Sequence, residues 1–161
     1  MQKKIAVIND ISGFGRCSIT ATLPILSYLG VQCCPVPTAI LSNHMGFPHY
    51  FIDDYTDRMR VYIENWQKLG LRFEGIMTGF LGSAEQIDIV KGFLRDFSKE
   101  DTLVIVDPVM GDHGRIYATY TEEMCTEMKR LVALCDMTTP NLTEACRLTD
   151  TPYRASGWRK R

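Results

Sequence analysis

The chain has 161 residues, of which 45% are hydrophobic, so its size and composition suit one folded domain with its own core. Its 18 Lys and Arg residues nearly balance its 19 Asp and Glu residues, and no basic face accumulates before the last eight positions, which argues against a nucleic-acid partner. No apolar run reaches the roughly 20 residues of a membrane helix. We therefore expect no membrane partner, and we expect the protein to act on a small molecule.

The six cysteines show neither a C-x-x-C pair nor a histidine at zinc-finger spacing. We interpret them as reduced thiols of a cytoplasmic protein. A zinc site at Cys33 and Cys34 is disfavoured, because adjacent residues of a strand point to opposite faces. Residues 1–4 lead into a strand and do not resemble the apolar region of a signal peptide.

The first half of the chain predicts two β-α units separated by one long irregular segment. A β-branched strand over 4–8 precedes an apolar helical face over 19–29, and a strand over 31–36 is followed later by a helical face over 55–69. A glycine directly after each face provides the usual helix stop signal. The segment over 37–53 is either a functional loop or a short edge hairpin.

The second half continues the alternation. Strands are predicted over 75–78, 103–106 and, more weakly, 135–138. One helix begins at Ser83, where Ser83-Ala84-Glu85-Gln86 has the spacing of a capping box, and another begins near Thr121 with acidic residues in its first turn. This β-α alternation predicts an α/β fold with a doubly wound, mostly parallel sheet.

Polar and glycine-rich segments follow directly after the predicted strands. In a parallel sheet, the carboxyl ends of the strands meet at one edge, where such folds bind their ligands. The segments that we expect to converge there cover residues 9–10, 42–49, 78–80, 107–114 and 139–144. The sequence therefore predicts one ligand crevice built from five separate parts of the chain.

Within this crevice, the most informative motif is Asp107-Pro108-Val109-Met110-Gly111-Asp112. Asp107, Asp112 and Glu144 form its anionic set, and Asn141 adds a polar amide. Oxygen ligands of this kind suit Mg²⁺ that is shared with substrate phosphates. Each acid also has a local alternative, since Asp107 can cap a turn and Glu144 can begin a helix. Together they indicate a nucleotide or metal-phosphate site.

Two other features are weaker. The segment over 13–18 resembles half of a dinucleotide-binding fingerprint, but it ends in Ser and no acid follows the second strand, so we do not expect NAD. No Walker A lysine motif is present. His44 and His49 have no acidic neighbour in the sequence, so we expect them to order their loop by hydrogen bonding, and we expect His113 to flank the acidic turn.

The motifs together resemble the pyridoxal kinase family of the ribokinase-like superfamily. The matching segments occur in the family's order over residues 3–153, and they are Asn9-Asp10, Ser42-Asn43-His44-Met45-Gly46, Thr78-Gly79-Phe80, the Asp107 to Asp112 motif and Thr139-Pro140-Asn141-Leu142-Thr143-Glu144. The resemblance implies transfer of the ATP γ-phosphate to the 5′-hydroxyl of pyridoxal, pyridoxine or pyridoxamine. It also implies Mg²⁺, often a monovalent cation, and a homodimer in the full-length family.

The resemblance further implies roles by position. The residues expected to bind the vitamer are Asp10, Ser42, His44, Met45 and Phe80. Those expected to bind the nucleotide are Asp107, Asp112, Asn141 and Glu144, with Asp112 and Glu144 as metal ligands. Asp10, Met45 and Phe80 stand where many relatives carry serine, threonine and tyrosine, so the preferred vitamer stays open. A carboxylate at Asp10 can pair with a protonated ring nitrogen or with an amine.

The Gly-x-Gly-Asp turn, which supplies the catalytic base in this family, does not occur in the 161 residues, so the catalytic residue stays unassigned. We expect residues 1–153 to be the N-terminal part of a ribokinase-like kinase domain cut after about five strands, residues 154–161 to be an unrelated basic tail, and the chain alone to be inactive or nearly so. One alternative is a hydroxymethylpyrimidine kinase of thiamine synthesis, which shares Asp-Pro-Val-Met, although the Ser42-Asn43-His44 loop favours the B6 branch. Another is a non-catalytic ligand-binding or dimerisation remnant.

Overall fold

A computed structural model describes residues 2–154 as a sheet with helices packed against it. The strands are β1 Lys4–Phe14, β2 Gln32–Asn43, β3 Ile52–Asp54, β4 Gly75–Thr78, β5 Leu103–Val106, β6 Gly111–Asp112, β7 Arg115–Ile116 and β8 Met137–Thr138. The helices are α1 Ser18–Tyr28, α2 Thr56–Lys68, α3 Ala84–Phe97, α4 Glu122–Val132 and α5 Leu142–Leu148. The predicted tail lies outside the described residues except for Arg154, so the division of the chain at residue 153 stays a prediction.

Six of the strands form the main sheet, in the order β3-β2-β1-β4-β5-β8. All neighbours are parallel except β2 and β3, which pair antiparallel at one edge. The short strands β6 and β7 form a separate antiparallel ribbon directly after β5. The predicted α/β class with a mostly parallel, doubly wound sheet is confirmed.

The core lies between the sheet and the helices. On one side, Ile8 and Val106 from the strands pack with Phe93 from α3 in a cluster that also receives α2 and α4. On the other side, α1 contacts β1 and β2 and buries Ile19. Because successive strand residues alternate between faces, the fully buried Val7 points away from Ile8, so β1 is apolar on both faces, as an interior parallel strand should be.

The strands β1 and β2 run well past their predicted ends at Ile8 and Val36. Their pairing shifts register between Asn9 and Ile11 and then continues to the ends of both strands. This bulge accommodates the polar residues Asn9 and Asp10 within β1. Beyond it, pairing between β1 and β2 maintains strand structure in segments whose own sequences do not favour it. The segment over 37–53 therefore holds the end of β2 and the edge strand β3, which confirms the hairpin alternative and gives the main sheet six strands where about five were expected.

Helix starts follow the predicted caps with one difference. Ser83 Oγ accepts the N–H of Gln86 at 3.1 Å, but the Gln86 side chain accepts from the N–H of Gly82 at 2.8 Å, so the predicted capping box is only half formed. Thr121 Oγ1 caps α4 by accepting the N–H of Met124 at 3.1 Å. In the part of the chain that is described, no helix is both long and apolar enough to cross a bilayer.

Candidate functional site

The carboxyl ends of β1, β4 and β5 open into a cavity of about 480 Å³. This volume is typical of sites for small ring compounds. Five of the nine residues predicted for binding line it, and they are Asp10, His44, Met45, Phe80 and Asp107. The predicted convergence of separate segments at this edge of the sheet thus holds for β1, the β2-β3 hairpin, β4 and β5.

Asp10 provides a buried carboxylate at the end of the regular part of β1. Only 5% of the residue is exposed, and Ser12 Oγ donates to its Oδ2 at 3.0 Å. Among residues 2–154, His44 is the one basic side chain that lines the same cavity. A buried carboxylate with one neutral partner can bind a donor on a ligand, because burial strengthens such a bond.

Asn9 joins two walls of the pocket. Its Oδ1 accepts the backbone N–H of Asp10 at 2.9 Å and that of Phe80 at 2.8 Å, so it connects β1 with the loop after β4. Gly79 fits only without a side chain, since a Cβ there would lie 2.3 Å from Asn9 Nδ2. In the sequence, the position of Asn9 beside Asp10 gave no sign of this role.

Phe80 is held by a network behind the pocket. Thr38 Oγ1 donates to the Phe80 carbonyl at 2.8 Å. The fully buried Gln86 donates from Nε2 to the Thr38 carbonyl at 2.9 Å and accepts from the N–H of Gly82 through Oε1. These bonds fix the backbone of the loop that carries the aromatic ring, so Phe80 presents a defined apolar wall.

The β2-β3 hairpin provides the outer wall. His44 and Met45 line the cavity, and His44 Nδ1 accepts the N–H of Gly46 at 3.0 Å, which is the loop-ordering bond expected of this histidine. Ser42 does not line the cavity, contrary to the expectation for a vitamer-binding residue. Its hydroxyl donates to Asn43 Oδ1 and accepts the N–H of Phe51 at 2.9 Å, because both groups belong to the hairpin that β3 closes.

Asp107 lines the same cavity as the residues predicted to bind the vitamer, although the sequence assigned Asp107 to the nucleotide. Burial raises the pKa of its carboxyl group, and a hydrogen bond with Thr139 partly counteracts that shift. Its position at the end of β5, beside the ribbon that carries Asp112, puts it at the border between the two predicted groups.

Asn141 and Glu144 lie outside this cavity and form the capping box of α5. Asn141 Oδ1 accepts the N–H of Glu144 at 3.0 Å, and Glu144 Oε2 accepts the N–H of Asn141 at 2.8 Å. Glu144 Oε1 also accepts the N–H of Met110 at 3.1 Å, and Asn141 Nδ2 donates to the Gly111 carbonyl at 2.8 Å. Burial raises the Glu144 pKa, while the backbone N–H groups lower it. The two side chains therefore connect α5 to Met110 and to the first residue of the ribbon, Gly111.

Asp112 is exposed and accepts the N–H of His113 at 2.7 Å, and the His113 ring flanks it as expected. Across residues 2–154, no three His, Cys, Asp or Glu side chains gather in the manner of a metal centre. The assignment of Asp112 and Glu144 as metal ligands, and of Asn141 as a nucleotide ligand, stays a prediction. Of the two acids, Asp112 fits a metal ligand better, because both Glu144 oxygens already accept backbone N–H groups.

The sequence did not single out the segment after β7. Tyr117 and Thr119 also line the cavity. Burial raises the pKa of the Tyr117 hydroxyl, and the carboxylates of Asp112, Glu144 and Asp107 raise it further, so the neutral phenol is favoured. No periodic or turn signal marks this segment, because the ribbon strands before it are only two residues long.

Comparison with known proteins identifies relatives of the whole described fold. The sequence profile of the phosphomethylpyrimidine kinase family matches residues 17–157. A pyridoxal kinase of Actinobacillus pleuropneumoniae is 32% identical over 132 residues, which are 78% of this chain and 45% of that protein. A Bacteroides thetaiotaomicron protein, provisionally described as a phosphomethylpyrimidine kinase and solved with pyridoxal, is 48% identical with a TM-score of 0.94 over 98% of this chain and 55% of its own.

A solved pyridoxal kinase from Lactobacillus plantarum is 27% identical, with a TM-score of 0.90 over 98% of this chain and 56% of that one. The chain thus spans about half the length of the relatives that it matches. The similarity covers every strand and helix that surrounds the cavity, so the ribokinase-like architecture expected from the resemblance is confirmed.

Proposed function

The chain belongs to the phosphomethylpyrimidine kinase family, and from that membership we propose that it carries the substrate-binding part of a B6 vitamer kinase. The reaction is transfer of the ATP γ-phosphate to the 5′-hydroxyl of pyridoxal, pyridoxine or pyridoxamine. The observation that carries the proposal is the cavity in which a buried carboxylate, Asp10, lies with the aromatic wall of Phe80 and the half-buried Asp107.

Each of these residues suits one property of the substrate. Phe80 offers an apolar surface to a flat heteroaromatic ring. Asp10, supported by the Ser12 hydroxyl, can accept a charge-assisted hydrogen bond from a protonated ring nitrogen. Asp107 lies toward the ribbon that carries the exposed Asp112, which is where the hydroxyl of the substrate and the phosphates of ATP would meet.

Phosphoryl transfer depends mainly on positioning and on neutralising charge. Mg²⁺, when bound with ATP, supplies part of that neutralisation, and Asp112 is the carboxylate with the exposure needed to contact it. The residues of the pocket would hold and orient the ring, while Asp107 would hold the hydroxyl end. A monovalent cation and a homodimer are further expectations from the resemblance. The free thiols of all six cysteines support a cytoplasmic location.

A second candidate is phosphorylation of the hydroxymethylpyrimidine of thiamine synthesis. The description of the matching family profile favours it. Its exocyclic amine can donate to Asp10 just as a protonated pyridine nitrogen can. The vitamer reading has the better support, because relatives described as pyridoxal kinases match both in sequence and in fold.

The decisive experiment titrates the 161-residue chain with pyridoxal, pyridoxine and 4-amino-5-hydroxymethyl-2-methylpyrimidine by calorimetry. We expect the vitamers to bind more tightly than the pyrimidine, and we expect Asp10→Asn to weaken them by about tenfold or more, since it removes a buried charged partner. Asp101→Asn, in an exposed turn, is the matched control. Tighter binding of the pyrimidine would favour the second candidate, and binding of none of the three would contradict both.

Turnover is measured in parallel. Because the chain holds no Gly-x-Gly-Asp turn, we expect it to form no phosphorylated vitamer above a blank without protein. Turnover that Asp107→Ala abolishes would contradict this expectation.

A further inference from the structure

Asn9 has a hydrogen-bond donor that the pocket network leaves unused. Its Oδ1 faces the N–H groups of Asp10 and Phe80. Since both partners are donors, the oxygen of the amide must face them, and Nδ2 is turned to the other side, next to Gly79. Within residues 2–154, Nδ2 donates to no protein acceptor. In that range, the buried side-chain atoms that lack a partner are Thr78 Oγ1 and Ser98 Oγ. Asn9 Nδ2 lacks a partner but is not among these buried atoms, so it is accessible, and we take it to be open to the pocket that Asn9 lines.

Asn9 and Asp10 present opposite hydrogen-bonding groups to one cavity. Consecutive residues of a regular strand would point to opposite faces, but the bulge between Asn9 and Ile11 brings both side chains to the pocket. Asp10 offers only acceptors and Asn9 Nδ2 offers only donors. A B6 vitamer near neutral pH is a zwitterion whose ring nitrogen is a cationic donor and whose 3-oxygen is an anionic acceptor. The two side chains are complementary to these two groups.

Resting on the proposed function, we propose that Asn9 determines specificity by donating from Nδ2 to the ring 3-oxygen of the vitamer. In addition, Oδ1 of Asn9 positions Asp10 and Phe80 through the two backbone bonds. The ligand bond is charge-assisted, because the 3-oxygen carries negative charge. The affinity lost when the 3-oxygen is removed from the ligand and the affinity lost when the Asn9 amide is removed from the protein should therefore not be additive.

The test compares pyridoxine with 3-deoxypyridoxine, which lacks only that oxygen, by calorimetry on the 161-residue chain. The two variants are Asn9→Asp, which keeps an acceptor for both backbone N–H groups but removes the donor, and Asn9→Ala, which removes both. Asn65→Asp is the matched control, because the Asn65 amide is exposed on α2 and, among the residues that the structure describes, bonds only to the Val61 carbonyl. Circular dichroism and thermal melting confirm that each variant folds.

In the unchanged chain, we expect pyridoxine to bind about tenfold or more tightly than 3-deoxypyridoxine. In Asn9→Asp and in Asn9→Ala, this ratio should fall close to one, whereas Asn65→Asp should keep it. A purely structural role of Asn9 would weaken both ligands equally and leave the ratio unchanged, which would overturn the assignment while the proposed function stands. If the unchanged chain binds neither ligand, both proposals fail. If only Asn9→Ala unfolds, the ratio in Asn9→Asp still decides.

Discussion

At Gly79, a single methyl group would be enough to disturb the pocket. A Cβ at this position would lie 2.3 Å from Asn9 Nδ2, so Gly79→Ala must displace the Asn9 amide. We expect the free energy of unfolding to fall by roughly 1–3 kcal/mol and vitamer binding to weaken, as overpacking does in a filled site. Gly92→Ala is the matched control, because Gly92 lies inside α3 and a Cβ there would make only an ordinary contact, 3.6 Å from Arg95 Nη2, so alanine should stabilise by roughly 0.5–1 kcal/mol. Urea melts of both variants, with calorimetry, check the pair.

Asp107 gives a prediction about pH. Burial raises its pKa in the folded state, so the folded protein binds this proton more tightly than the unfolded chain does. The ionised carboxylate therefore destabilises the fold at neutral pH, and the penalty disappears as the pH falls through the raised pKa. We expect Asp107→Asn to increase the free energy of unfolding at neutral pH and to give no increase at a pH below the ordinary aspartate range.

Urea melts at both pH values test this prediction, with Asp101→Asn in an exposed turn as the control. A variant that is less stable than the unchanged chain at neutral pH would show that the Thr139 hydrogen bond outweighs burial. If Asp107→Asn is more stable yet binds the vitamer less well, the carboxylate is kept for binding at the expense of stability.

At the scale of elements, α5 separates two acids that the sequence had grouped together. Glu144→Ala leaves the N–H groups of Met110 and Asn141 without their acceptor, and we expect a loss of roughly 2–4 kcal/mol in the free energy of unfolding. Asp112→Ala removes an exposed side chain from the ribbon and should change stability by less than about 0.5 kcal/mol. Chemical denaturation of the two variants compares them. Equal losses would contradict the division into a structural acid and an exposed one.

The elements also show how far the sequence could go. The sequence could place Asp10, Phe80 and Asp107 at the cavity, because each follows a strand whose apolar run is visible locally; their binding roles stay predictions. Ser42 lies outside the cavity, because its environment depends on β3, which pairs through backbone hydrogen bonds that no side-chain pattern records. The role of Asn9 depends on a contact with Phe80, a residue far away in the sequence. Such contacts become apparent only when the strands are aligned in space.

For the whole molecule, exposed apolar side chains at and near the β8 edge of the sheet and at the end of α1 predict self-association. Met137 in the edge strand β8 is 52% exposed, and Leu103 at the start of the neighbouring β5 is 47% exposed. Tyr28 at the end of α1 and Leu29 directly after it are largely uncovered. An apolar sheet edge of this kind favours pairing with another chain. Sedimentation velocity over a range of concentrations should show association, and thermal melting followed by circular dichroism should show a broad transition. Met137→Lys should reduce association, whereas Val61→Lys, an exposed apolar position on α2, should not. A concentration-independent monomer with a sharp transition would support a self-sufficient binding domain.

The order of strands in the sheet has a consequence for protein synthesis. The sheet grows outward from β1, first through β2 and β3 on one side and then through β4, β5 and β8 on the other. None of the six strands described in this sheet has to enter between two strands that are already paired. A ribosome releases the N-terminal segments first, so each new strand can add to an open edge as it emerges. Asp10 and Phe80 can thus be in place on the nascent chain before Asp107 and Tyr117 have left the exit tunnel, and the pocket is completed only when these two residues emerge.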